Sequence, residues 1–321
     1  MVEVFRHAGR HNLNLRDVVG GAHGRPAVKM TSAIAQDAVR SLVAGDAYFA
    51  VAITEEDAGT HTKNMQSFAT PDGDGFRLTG SKLWNARLQQ ATHVVLYTRA
   101  ASGAADKQSA FLLPIDHPGL EIINRYAHGL TGNSFGGLKF ENMYVGAEQL
   151  IGRDGDGGEL FEEHFQYWRL MQAAAAIGCG ERALEIMAAR IRDRQVFGGP
   201  IARFTHLQQP LGEQRTKLQM SLALAREAAR HLDDGNHDTA KPLINGVKAE
   251  GVEIALDACD AAMRAHGALG YSRDVDLGDR VRDPGLSTWA EFTVSCGLAA
   301  FRRHPAITRS KSAQMASFFT A

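Results

Sequence analysis

The chain has 321 residues, 44% of them hydrophobic, and its 35 basic and 36 acidic side chains leave a formal net charge of −1. That length and apolar content can bury a large core divided into two or more lobes. Near-neutrality offers no electrostatic footprint for nucleic acid or an anionic membrane, and favours small, locally recognised ligands. Residues 1–47 open with a Gly- and His-rich stretch lacking a clear period, followed by a helical pattern in SAIAQDAVRSLVAGD. From 48 to about 150 the period shortens to that of strands, in YFAVAIT, GFRLTGSKLW, HVVLYTRA, SAFLLPI and LKFENMYV, with turn clusters such as PDGDG between them. After GRDGDGG the period becomes helical again over 151–321, with helices expected over 158–195, 206–232, 240–267 and 284–302, broken at DDGNH and ALGYSRDVD. The expected fold class is therefore α+β: a short helical segment (1–47), a central β domain (48–150) and a C-terminal helical bundle (151–321).

Bulk features narrow the chemistry further. No apolar run approaches the roughly 20 residues of a membrane span, and MVEVFRHAGRHNLNL lacks a signal peptide's apolar segment, so the expected location is the cytoplasm. Cys179, Cys259 and Cys296 lack the paired spacing of zinc sites, and their odd number argues against a disulfide framework. The cluster His231, Asp233, Asp234 and His237 reads as a polar turn between helices, so no metal is expected. One group stands out: in STWAEFTVSCG, Glu291 is the single charge between Pro284 and Phe301. A carboxylate in apolar surroundings loses hydration that few interactions restore, which points either to chemistry or to a partner such as Arg169.

Five stretches, in this order and at compatible spacing, resemble the acyl-CoA dehydrogenase family over nearly everything from Ala38 to Phe301. ITEEDAGTH is similar to the family's Thr-Glu-Pro-x-Ala-Gly-Ser-Asp segment through Thr54, Glu55, Ala58 and Gly59, with Thr60 for Ser and His61 for Asp. LTGSKLWNA keeps Gly80, Lys82 and Trp84 of Gly-x-Lys-x-Trp-Ile-Thr but has Asn85 and Ala86 for Ile-Thr. RQVFGGPIARFTHLQ carries Arg194, Phe197, Gly198, Pro200, Ile201 and Gln208 of an Arg-x-x-Phe-Gly-x-Pro-Ile segment. RAHGALGY retains Gly267 and Gly270 of a Gln-x-x-Gly-Gly-x-Gly loop, with Arg264 for Gln. RDPGLSTWAEFT places Glu291 at the family's catalytic base, followed by Phe292 where the family has glycine, and then Thr293.

The resemblance implies an acyl-CoA dehydrogenase-like fold with a shortened N-terminal helical segment, a β-barrel-like middle domain and a C-terminal four-helix bundle. It implies FAD-dependent α,β-dehydrogenation of an acyl thioester, on CoA or a carrier protein, in which Glu291 abstracts the α-proton while the β-hydride passes to flavin N5. Desolvation would raise the Glu291 pKa toward neutrality, and its backbone N–H with a flavin ribityl hydroxyl would receive the enolate-like oxygen. Thr54, Gly59, Thr60, Trp84, Asn85, Arg194, Phe197, Gln208, Arg264, Gly267, Gly270 and Thr293 are the implied cofactor contacts, Arg194 acting on a neighbouring subunit's FAD. Ser134, Arg169 and Phe292 are the implied substrate contacts. The implied assembly is a homodimer or homotetramer, with an electron-acceptor flavoprotein or carrier protein as further partner. Ala86, Phe292 and the short start leave two alternatives open: a flavin-dependent oxygenase or oxidase on the same fold, and a non-catalytic subunit of a heteromeric dehydrogenase.

Overall fold

The computed structural model describes residues 1–13, 21–103, 106–126, 134–278 and 280. They fall into two compact units, one formed by Asp17–Tyr167 and the other by Met1–Arg16 together with the chain from Trp168 onward.

In the first unit, Ser32 caps α3 (Ala33–Ala44) by accepting the Ala35 N–H, and Gly45 ends it in the left-handed conformation. Helix α2 (Gly21–Gly24) precedes it. The β region is one seven-stranded mixed sheet of β1 (Phe49–Ala52), β2 (Phe68–Asp72), β3 (Gly75–Ala86), β4 (His93–Arg99), β5 (Gln108–Pro114), β6 (Leu120–Arg125) and β7 (Phe135–Gly146). The strand order is β1-β4-β2-β3-β7-β6, with β5 pairing β4 as well. Strand β4 runs parallel to β1 and antiparallel to β5, and is buried on both faces, which explains the continuous apolar run VVLY. Leu78, Leu96, Phe111, Leu113, Leu138 and Phe140 centre its core. Strand β3 pairs antiparallel with β7 through two register shifts, Leu78/Gly80 and Lys82/Asn85. Such bulges re-aim side chains, and the second one contains Trp84.

The second unit is helical. Helix α4 (Gly157–Asp193) starts in the first unit and continues through the second. It is followed by a small hairpin of β8 (Gln195–Val196) and β9 (Gly199–Pro200), then α5 (Thr205–Asp233), α6 (His237–Gly246), a π-turn at Val247–Gly251, α7 (Val252–His266) and α8 (Ala268–Tyr271). The expected helices at 158–195 and 206–232 are therefore found within a residue or two of their bounds. The one expected over 240–267 begins earlier and contains the π-turn, which no hydrophobic period signals. The one expected over 284–302 lies outside the described residues.

The start of the chain differs from expectation. Residues Val2–Arg10 form helix α1, whose Val2, Phe5, Ala8 and Gly9 are buried. Its other positions include Glu, His and Arg, which mask the apolar stripe. Two glycines explain how closely it docks on α4: a Cβ at Gly9 would lie 1.9 Å from the Ala175 carbonyl oxygen, and one at Gly178 would lie 1.9 Å from that of Arg6. Ion pairs from Arg6 to Glu181 (2.6 Å) and from Arg10 to Glu185 (2.7 Å) flank the contact. Because the helix backbones touch, Gly178→Ala should destabilise the protein by about 1–3 kcal/mol through forced separation of α1 from α4. Urea unfolding checks this; an unchanged midpoint and slope would show that α1 is not docked there in solution.

Candidate functional site

The sheet unit gathers Thr54, Gly59, Thr60, Trp84, Asn85 and Ser134 around the loop after β1 and the irregular end of β3. The Thr54 carbonyl accepts the Leu83 N–H at 2.8 Å, and the Asn85 amide donates to the Val51 carbonyl at 2.8 Å, so the loop and the strand are stitched together. Between these bonds Trp84 has φ 64°, a conformation costing a bulky residue about 1–3 kcal/mol. Its indole is 52% exposed and stacks on Phe135, with ring centroids 6.0 Å apart and planes at 29°. A strained backbone holding a large exposed ring is a platform for a planar ligand. Beside it, the Asn85 side-chain oxygen is buried and has no hydrogen-bond partner among the described residues, an acceptor available to a ligand N–H or O–H.

Ser134 stands at the foot of β7, where its carbonyl accepts from Arg87 N at 2.7 Å, its hydroxyl donates to Gln90 Oε1 at 2.6 Å, and the same hydroxyl accepts from Gln89 N at 3.1 Å. Gly59 and Thr60 are exposed, and a Cβ added at Gly59 would meet nothing within 4 Å. Among the described residues no packing contact requires glycine there.

What holds this loop is a buried ion pair between two residues that the motifs present merely as matching letters. Lys82 is fully buried and donates to Glu55 Oε1 at 2.7 Å and to the Ile53 carbonyl at 3.2 Å. The Glu55 carboxylate also accepts the Gln66 N–H at 2.5 Å, the Ser67 N–H at 3.0 Å and the Ser67 hydroxyl at 2.5 Å. Burial by itself would raise the Glu55 carboxyl, but the Lys82 charge and these hydrogen bonds outweigh it and leave its pKa below the usual range. Burial pushes the Lys82 ammonium down to about 8 against the pull of Glu55. The available signal is strand parity: Leu78 and Lys82 are both buried positions of β3, and a lysine in such a place needs an acidic partner.

The helical unit holds the remaining described residues in two groups. At the β8–β9 hairpin, Phe197 (φ 50°) and Gly198 (φ 79°) form a two-residue turn with both central residues left-handed, as in a type I′ turn. The turn leaves the Phe197 ring 87% exposed, and Arg203 donates to the carbonyls of Val196 and Phe197 at 3.1 and 2.9 Å. Arg194 is exposed at the hairpin's base, where its carbonyl accepts from Ile201 N at 2.9 Å, and Gln208 donates to the Ala202 carbonyl at 2.6 Å. At the end of α7, Arg264 pairs with Asp260 at 2.6 Å. Gly267 (φ 60°) terminates the helix, and a Cβ at Gly270 would fall 2.3 Å from the Met263 carbonyl oxygen.

Arg169 is buried within α4. In the polar turn, His231 lies 3.2 Å from Glu227, and Arg230 donates to Asp234 at 3.1 Å. Cys179 and Cys259 are buried. Glu291, Phe292, Thr293 and Cys296 lie outside the described residues.

Residues 50–143 match the model of the acyl-CoA dehydrogenase middle domain, and residues 155–291 that of the acyl-CoA dehydrogenase C-terminal domain. The chain is 28% identical to a probable acyl-CoA dehydrogenase of Mycobacterium tuberculosis over 74% of its own length and 60% of the relative's. It is also 28% identical to the mitochondrial isovaleryl-CoA dehydrogenase of Oryza sativa over 92% of its length and 69% of the relative's. Among solved structures, a glutaryl-coenzyme A dehydrogenase in complex with glutaryl-CoA superposes with a TM-score of 0.85 at 25% identity, over 94% of this chain and 76% of that one.

The Glu55–Lys82 pair generates a stability prediction. Lys82→Met strands a buried carboxylate and should cost about 3–5 kcal/mol, whereas adding Glu55→Gln should restore part of the loss. The depressed Glu55 pKa makes its contribution complete above about pH 4.3 and lost as the pH falls through the folded value, so Glu55→Gln should flatten the acid limb of the stability profile. Urea unfolding from neutral to acid pH measures both; additive single-variant losses would show that the pair does not couple.

Proposed function

The chain belongs to the acyl-CoA dehydrogenase family, and from that premise we propose that it is an FAD-dependent enzyme that dehydrogenates the α,β-bond of an acyl thioester. The observation that carries this reading is the Trp84–Phe135 ring pair, exposed on a strained backbone next to the buried, partnerless Asn85 oxygen. Together they fit a planar, hydrogen-bonding heterocycle.

In this reading Thr54 and backbone amides between Glu55 and Thr60, other than those of Glu55 and Ala58, which donate to each other's carbonyls, would bind the flavin and its phosphates, with Trp84 and Asn85 at the ring system. Arg194, Phe197 and Gln208, with Arg264, Gly267, Gly270 and Thr293, would hold the dinucleotide of a neighbouring copy, which makes the active form a homodimer or homotetramer. FAD, when bound, supplies the two-electron acceptor. Glu291 would take the α-proton, and its backbone N–H would donate to the thioester oxygen as negative charge gathers there. Ser134, Arg169 and Phe292 would meet the substrate. Among the described residues no helix is long and apolar enough to cross a membrane, and the proposed setting is the cytoplasm, with an electron-acceptor flavoprotein or a carrier protein as partner.

Glu291→Gln keeps the shape of the side chain and removes its proton-accepting power. The variant should retain fold and FAD yet lose α,β-desaturation by about 10²–10⁴-fold, measured as anaerobic flavin reduction by acyl-CoA or acyl-carrier thioesters. Near wild-type reduction would remove Glu291 from the role of base. A flavin-loaded wild type that no acyl thioester reduces, but that consumes O₂ with a reductase, would replace the dehydrogenase with an oxygenase. Trp84→Ala, in turn, should raise the dissociation constant for FAD by about tenfold, the loss expected for a stacked aromatic partner. Fluorescence titration of the apoprotein measures it, and an unchanged constant would place the flavin elsewhere.

A further inference from the structure

We propose that Lys82 is a positioning residue for the flavin: its ammonium holds the residues on both sides of Thr54, one by its backbone carbonyl and the other by its side-chain carboxylate, and thereby fixes the Thr54–Thr60 loop relative to Trp84. This rests on the flavin reading above. Lys82 donates to the Ile53 carbonyl (3.2 Å), immediately before Thr54, and to the Glu55 carboxylate (2.7 Å), immediately after it. Leu83, the next residue along β3, donates its N–H to the Thr54 carbonyl at 2.8 Å, and Trp84 follows it at φ 64°. Three consecutive residues of the loop are thus bonded to two consecutive residues of the strand, immediately before Trp84. Ser67, held by Glu55, is pressed against the same strand, since a Cβ at Gly80 would fall 2.3 Å from the Ser67 Cβ.

Within this clamp the partly buried Thr54 and the exposed indole of Trp84 are open to a ligand, whereas Lys82 itself has no exposed surface. Its influence on a ligand must pass through Thr54 and Trp84. The charge is what makes the grip tight, because the carboxylate it faces is already committed to the amides of Gln66 and Ser67 and cannot turn away. Among the described residues Glu55 is the one charged group acting on Lys82. When Lys82 loses its proton, the carboxylate beside Thr54 keeps its amide bonds but has no counter-charge, and the loop is held to β3 less tightly, by the Leu83 and Asn85 bonds alone.

The titration gives this a signature that a purely structural role lacks. Lys82 titrates at about 8 in the folded chain, below the value of about 10.4 in an unfolded one. The unfolded state therefore binds more protons between these values, and the contribution of Lys82 to folding stability rises with pH there. Its grip on the loop is lost over the same interval. Flavin affinity and this part of the fold's stability must then move in opposite directions above neutrality.

The test is FAD binding to the apoprotein, followed by quenching of flavin fluorescence between about pH 6.5 and about pH 9, for wild type, Lys82→Met and Glu55→Gln/Lys82→Met, with thermal unfolding of each at the same pH values. Wild type should weaken by about tenfold in a single-proton step centred near pH 8, without a matching loss of thermal stability. Lys82→Met, at a temperature where it is fully folded, should bind weakly at every pH and show no step. Independently of any flavin, hydrogen exchange in the apo form of that variant should speed up in peptides covering 53–67 and stay unchanged in β4 and β5.

A wild type that binds FAD without the pH step, or a folded Lys82→Met with wild-type affinity, wild-type pH profile and unchanged exchange, overturns the inference while leaving the flavin reading intact. A wild type that binds no flavin overturns both. Should Lys82→Met alone fail to fold, the wild-type pH profile and the charge-free double variant discriminate in the same way: the step must be present in the first and absent from the second.

Discussion

A lysine ammonium enclosed in protein is the constraint around which the sheet unit is arranged. Taking that charge from water costs several kcal/mol even after relaxation, and a single neutral hydrogen bond does not offset it. The Ile53 carbonyl and the Glu55 carboxylate together offset much of it, but only if the loop after β1 comes back to the end of β3. Once it does, the Leu83 amide meets the Thr54 carbonyl, the Asn85 amide meets that of Val51, and β3 has to leave its register with β7 between Lys82 and Asn85. The left-handed backbone of Trp84 is a consequence of this path. Strain persists there because the bonds on either side over-determine the conformation.

The helical unit is organised by the opposite device, the removal of side chains. Where α1 meets α4, and where α4 meets α7, glycines admit backbone: a Cβ at Gly180 would lie 3.0 Å from the Ala255 Cα, a looser version of the contacts at Gly9 and Gly178. Close helices bury peptide groups that need partners, and Arg280 shows how one is met. Its guanidinium is buried, donates to the Gly9 carbonyl at 3.3 Å and is neutralised by Asp276 at 2.7 Å. The Cys179 thiol donates to the Arg280 carbonyl at 3.7 Å, so this cysteine acts as a small polar spacer within the packing.

How far these features are legible in the sequence follows from the range of the forces involved. Strand alternation and helical stripes are local, so the span of the β region, five of the seven strands described in its sheet and the two long helices α4 and α5 can be placed, whereas β2 and β6, short and largely exposed, match none of the strand runs read in the sequence. Helix α1 is harder to see because it is nine residues long, and only Val2, Phe5, Ala8 and Gly9 face inward among charged neighbours. The π-turn at Val247–Gly251 leaves no local mark, being a matter of one extra residue per turn. Trp84 and Asn85 are legible as positions in a motif, but the exposed ring and the unpaired oxygen depend on a bulge set by the partner strand. The ion pair is the hardest to see, since 26 residues separate Glu55 from Lys82 and each alone looks like an ordinary polar residue of a turn or strand.

The order of dependence within that pair can be worked out from donor counts. The loop presents the Gln66 N–H, the Ser67 N–H and the Ser67 hydroxyl to a buried point, and the Glu55 carboxylate accepts all three. An amide or hydroxyl side chain in its place would accept some of these donors but would add donors of its own. A carboxylate accepts all of them and brings none, which accounts for Glu55. Its charge then requires an interior cation, and an arginine fork would need more acceptors than this site supplies, so a lysine at an inward position of β3 is the residue that fits. Replacing both charges by hydrocarbon of equal volume could preserve packing, as it does elsewhere, but would leave the Gln66 and Ser67 donors without acceptors. The backbone course of the loop thus requires the glutamate, the glutamate requires the lysine, and the lysine fixes the strand that carries Trp84.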